Sequence, residues 1–129
     1  MRSHHNLLVW QKARELVKNI YQLCKEIPKE EMFGLTQQLK RAAVSIPANI
    51  SEGMGRHTIK DSLRFFYISK GSIYEIETLI IISFDLQFLT KEKANELTSQ
   101  SFEISKMLSG LIKNYESRLK EKAISLQDK

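Results

Sequence analysis

The chain has 129 residues, 42% of them hydrophobic and 27% charged, with 5 glycines, 2 prolines and a net charge of +5. One domain of this size can bury a real core, and so few turn-forming residues exclude a β-rich fold in favour of long helices. The single cysteine, Cys24, excludes an internal disulfide and suits a reducing compartment; set among apolar positions, it reads as a small buried residue and not as a nucleophile.

All the excess positive charge lies in the first half. Residues 1–64 carry 11 Lys and Arg against 6 Asp and Glu, whereas residues 65–129 carry 9 of each. Such asymmetry points to a basic region facing an anionic partner. The N-terminal stretch MRSHHNLLVWQKA lacks the sustained apolar run of a secretion signal. The longest unbroken apolar runs, residues 79–82 among them, have four residues and are far short of the ~20 residues that span a bilayer, so a cytoplasmic protein is expected.

Four helical segments follow in order. In the first, residues 7–26, Val9, Ala13, Leu16, Ile20, Leu23 and Ile27 step by three and four along one buried face. Arg14, Lys18 and Lys25 form a basic file on the opposite side, and Pro28 stops the helix by restricting Ile27. The second covers residues 31–52, with Leu35, Leu39, Ala42, Ala43, Ile46 and Ile50 inward and Gly53 and Gly55 as its terminators. The third covers 58–88, opening on Thr58 with Asp61 three residues on, the spacing of a capping box. The fourth covers 91–120 behind Thr90 as N-cap; the polar tail at 121–129 is expected to fray. Short connections force sequential helices to lie antiparallel, which predicts a single all-α domain over 1–129, an up-down-up-down four-helix bundle.

Pro47 falls inside the second helix. It removes the donor that would meet the Ala43 carbonyl and costs about 3 kcal/mol or more in a helix interior, so a bend is expected there. Ser45 and Asn49 stand ready to satisfy freed backbone groups, and Glu52 can cap the helix or pair with Arg56.

The third helix carries more apolar surface than one core requires. Residues 79–89, LIIISFDLQFL, are apolar nearly all round, and large exposed patches are uncommon on soluble monomers. Leu79, Ile81, Ile82, Phe84 and Phe88 are therefore candidates for contact with a second copy. Ser62, Ser69, Gly71 and Ser72 upstream are small enough to let another helix approach.

Little points to catalysis. The doublet GMGR lacks the rest of a nucleotide fingerprint, no Glu-x-x-His occurs, and His4, His5 and His57 lack metal-ligand spacing. No catalytic residue, metal ligand or cofactor is expected, and the protein reads as a non-enzyme. Basic chemistry is plentiful. Besides the first-helix file, Lys40 and Arg41 lie off the apolar face of the second helix, Arg56 follows the glycines, and Lys60, Arg64, Tyr67, Gly71 and Tyr74 fall along one side of the third. Cations that neutralise phosphates, interleaved with rings that stack on unpaired bases, suit nucleic acid.

The segments VWQKARELVKNIY, FGLTQQLKRAAVSIPANISEGMGR and FFYISKGSIYEIETLI resemble the bacterial four-helix-bundle proteins encoded within intervening sequences of 23S ribosomal RNA genes. The resemblance covers about residues 7–115, with Ser51, Ser69 and Tyr74 as small departures from the pattern. It implies a left-handed bundle assembled into a ring, a homopentamer. It also implies kinship with an accessory protein of diversity-generating retroelements, which has a basic surface and contacts nucleic acid and a reverse transcriptase. By the same resemblance Ser45, Ile46, Asn49, Glu52 and Gly53 are structural, at the bend and end of the second helix. Arg41, Arg56 and Arg64 become the foremost candidates for RNA or DNA contact. The leading expectation is thus a small oligomeric protein that binds RNA through a basic surface. The alternative is a scaffold that recruits another protein, such as a polymerase or reverse transcriptase.

Overall fold

A computed structural model describes residues 3–127. The apolar periodicities form helices α1 (Leu8–Cys24), α2 (Leu35–Met54), α3 (Ile59–Asp85) and α4 (Lys91–Gln127), with single 3-10 turns at Ser3–Asn6 and Lys29–Glu31 and no strand among the described residues. Each helix presents one apolar side to a shared interior, where Leu16, Ile20, Leu39, Ile46, Ile50, Phe66, Ile73, Ile76, Ile80, Leu97, Ile104 and Leu108 are fully enclosed.

Cross-helix contacts fix the direction of every neighbour. Tyr21 meets Lys40 while Cys24 meets Thr36, so α1 and α2 run oppositely. Ser72 meets Ser45 while Ser69 meets Ile46, and Glu77 meets Ser101 while Tyr67 meets Glu116, which makes α2–α3 and α3–α4 antiparallel as well. Lys12 with Glu103 and Asn19 with Gln100 close α4 against α1. The result is the up-down-up-down bundle expected from the short connections.

The helix ends differ from expectation for local reasons. Helix α1 stops at Cys24 because its last turn tightens ahead of Pro28, with Lys25, Glu26 and Ile27 each donating to the carbonyl three residues back. Gly34 delays α2 until Leu35, whose N–H donates to the Glu31 carboxylate at 3.4 Å. Thr58 and Thr90 do cap α3 and α4, accepting from the N–H groups of Asp61 and Lys93 at 3.1 Å each. Helix α3 ends at Asp85, three residues early: Gln87 adopts φ 65°, Phe88 N–H donates to the Ser83 carbonyl and Gln87 N–H to that of Phe84, a Schellman closure. Beyond Ile112 no residue of α4 is buried, yet the helix does not stop at residue 120 but continues to Gln127. The run of Leu, Lys, Glu and Ala there favours helix on intrinsic grounds.

Two readings of α2 are corrected. Gly53 does not terminate it. A Cβ there would stand 2.4 Å from Phe66 Cε1 and 3.0 Å from the Ser62 carbonyl, so this glycine lets α3 approach, and neither it nor Gly55 has positive φ. The helix runs through Pro47, as the proline's place inside the second segment predicts. Asn49 Nδ2 donates to the Ser45 carbonyl at 2.8 Å and to Ser45 Oγ at 2.9 Å, so it serves Ser45 and not the Ala43 carbonyl that Pro47 leaves without a donor. Ser69, from α3, donates to the Ile46 carbonyl at 2.8 Å. Ser62, Ser69 and Ser72 of α3 thus receive α2 of the same chain, whereas Gly71 is exposed with nothing within 4 Å of where a Cβ would stand.

Candidate nucleic-acid interface

The first-helix file is on the surface, with Arg14, Lys18 and Lys25 all exposed. Because α1 and α2 are antiparallel neighbours, Lys40 reaches over this flank and places its ammonium 4.9 Å from the centre of the Tyr21 ring. One turn and more toward the N-terminus, the Arg14 guanidinium stands 4.9 Å from the Trp10 ring, on which His5 stacks at 4.6 Å. Such cation–ring contacts are worth about 0.5–1 kcal/mol at exposed sites. Among the described residues none of Arg14, Lys18, Lys25 or Lys40 pairs with a carboxylate. Glu15 and Glu26 lie toward α4, beside Glu103 and Lys93 respectively. The α1–α2 flank is therefore a strip of four unneutralised cations with two aromatic rings.

Arg56 and Arg64 are placed differently. Both converge on Phe65, at 4.4 and 4.5 Å from its ring centre, and both reach Asp61, Arg64 at 3.1 Å and Arg56 at 3.8 Å. Arg56 also pairs with Glu52 one turn back. Asp61, read from sequence as a cap residue, is the hub of this cluster, and its spacing of three from Arg64 was the available signal. Lys60 next to it is exposed without a partner. Tyr67 turns away from these arginines and donates its phenol to the Glu116 carboxylate on α4, which raises the phenol pKa above 10.0. Arg41 stands apart again, in a groove between α2 and α3 with Glu75. The nine candidate residues thus divide into the α1–α2 strip, the Arg56–Lys60–Arg64 cluster, Tyr67 on Glu116 and Arg41 in its groove with Glu75, and the strip gathers the most cations without a paired carboxylate.

Cys24 is buried and lies 4.0 Å from the Thr36 carbonyl; burial pushes its thiol pKa up against the opposing effect of Lys40. Reactivity is suppressed there. Among the described residues no three His, Cys, Asp or Glu come together to hold a metal ion, and no helix is long and apolar enough to cross a membrane. The side chain of His4 lies outside the described residues.

The candidate contact surface of α3 is narrower than expected. Leu79 is only 6% exposed, enclosed by its own chain, and Phe88 is half-buried against the core. Leu79 belongs to the bundle interior because it falls on the edge of the inward face. Ile81 at 54%, Ile82 and Phe84 remain open, as do Leu86 and, on α4, Phe102 at 67%. Tyr67, Tyr74 and Ile81, spaced by seven, extend this apolar surface along one side of α3.

Comparison with known proteins agrees with the bundle. The chain belongs to the 23S rRNA-intervening sequence protein family, whose pattern it matches over residues 5–110. Among solved structures it is similar to a protein of unknown function from the S23 ribosomal protein family of Bacteroides thetaiotaomicron. That likeness has a TM-score of 0.77 and 26% identity, covering 82% of this chain and 99% of the other. No match was found among curated proteins.

Proposed function

We propose that the protein is a non-enzymatic, self-associating bundle that binds RNA through the α1–α2 strip. The observation that carries this reading is the run of Arg14, Lys18, Lys25 and Lys40 beside Trp10 and Tyr21 without a paired carboxylate. Four cations on one flank attract phosphates, and the exposed Tyr21 ring offers a stacking face. Membership of a family named for a 23S rRNA intervening sequence favours RNA over DNA. The open side chains of Ile81, Ile82 and Phe84 support self-association, with five copies suggested by resemblance; such an assembly would repeat the strip around it. A bend at Pro47 belongs to the same reading, turning the Glu52–Arg56 end outward.

The test is RNA affinity across a salt series. Binding should fall linearly on logarithmic axes, with a slope set by the phosphates neutralised. Affinity that ignores salt would overturn it. Light scattering on the eluting protein tests self-association, and a monomer would remove that part.

A second reading has its own support. Tyr74 on α3, 54% exposed, and Phe102 on α4 are open aromatic side chains outside the α1–α2 strip, which suits a protein partner. Partners retained after nuclease treatment would favour this scaffold; partners lost would favour RNA.

A further inference from the structure

Arg41 of α2 and Glu75 of α3 line one surface groove and do not pair with each other. The groove, about 460 Å³, is completed by Gln38, Ala42, Ser45 and Ser72. Neither charged side chain has an ion-pair or hydrogen-bond partner among the described residues. An arginine and a glutamate that share a cleft and remain separate leave room for something between them. The floor is ordered: Ser72 donates to Ser45 Oγ at 2.8 Å and Asn49 Nδ2 donates to the same atom at 2.9 Å.

The chemistry of the two lips is selective. Glu75 offers two acceptor oxygens and no donor; Arg41 offers a fork of donors and no acceptor. Of the four RNA bases only guanine carries two adjacent N–H donors on one edge, N1–H and N2–H, with O6 and N7 acceptors on the adjoining edge. Adenine would set its N1 acceptor against the carboxylate. Cytosine and uracil each lack the adjacent donor pair. The geometry points to this groove as a recognition site for a guanine base, its donor edge on Glu75 and its O6 and N7 on Arg41. The inference rests on the RNA reading for how the base is delivered. Lys40 and Arg41 are consecutive, and one faces the α1 strip while the other faces this groove. A strand held by phosphates along α1 and α2 can therefore present a base to Arg41.

The test uses short oligouridylates carrying one central guanosine, inosine or adenosine, with GMP and AMP as free nucleotides. Inosine differs from guanosine only by the missing N2 amine. The guanosine oligomer should bind about tenfold tighter than the inosine one, as a good bidentate base contact implies. Glu75→Gln should abolish that difference and leave the plain oligouridylate affinity unchanged. Equal affinity for all three oligomers, or a preference that survives Glu75→Gln, would overturn the site while leaving RNA binding intact. Should no oligomer bind, GMP is followed by amide chemical shifts. Shifts at Gln38, Ser45 and Glu75 with GMP but not AMP, lost in Glu75→Gln, would uphold a guanine site for free nucleotide and remove the RNA reading. No shift and no oligomer binding would overturn both.

Discussion

The Lys40 ammonium of α2 sits 4.9 Å from the centre of the Tyr21 ring on α1, so the cations of two helices form one strip. Lys18 is exposed on that strip and has no carboxylate partner among the described residues. Lys18→Gln should weaken RNA binding to a similar degree for every sequence and lower the slope of the salt dependence by about 1. Fluorescence anisotropy at several salt concentrations measures both.

Arg64→Gln should behave otherwise. Its guanidinium is held by Asp61 at 3.1 Å and stands over Phe65, so its charge is already compensated. The change should alter RNA affinity by less than Lys18→Gln in the same assay. Because an exposed ion pair contributes about 0–1 kcal/mol, stability should also move little.

Gly53→Ala should destabilise the fold. The added methyl meets Phe66 and, at 3.0 Å, the backbone carbonyl of Ser62, which cannot swing aside. Overpacking of this kind costs about 1–3 kcal/mol, readable as a lower urea midpoint. In a Phe66→Leu background the penalty of the same substitution should shrink, since the nearest contact is the Phe66 ring.

Gln87→Gly should stabilise it. Gln87 holds φ 65° at the end of α3, where a side chain is strained and glycine is not. The expected gain is about 1 kcal/mol, seen as a higher thermal midpoint.

The Tyr67 phenol should ionise above 10.0, and Glu116→Gln should bring it back toward that value in an ultraviolet phenolate titration. The sign follows from linkage: the folded pKa is raised, so the Tyr67–Glu116 contribution is fully present below 10.0 and is lost as pH rises through the raised value.

What could be read from sequence was local. Apolar steps of three and four locate all four helices, and Thr58 and Thr90 announce two helix starts because a cap acts within one turn. The Arg64–Asp61 pair was also within reach, being three apart on one helix. Other features depend on what a distant segment brings. Gly53 looks like a helix stop until Phe66, thirteen residues on, is found against it. Leu79 looks like surplus grease until the bundle encloses it, whereas Ile81 two positions away stays open. The continuity of the basic strip depends on Lys40 crossing to Tyr21, and the separation of Arg41 from Glu75 on the seam between two helices. Periodicity shows which side of a helix is polar but not which polar side chains will neutralise one another.

The central claim, that RNA lies on the α1–α2 strip, is tested most directly by amide chemical-shift mapping on titration with structured RNA. The account predicts shifts concentrated between Leu8 and Lys25 and around Lys40, with the outer face of α4 silent. Shifts confined to α4, or no shift at any low-salt RNA concentration, would contradict it.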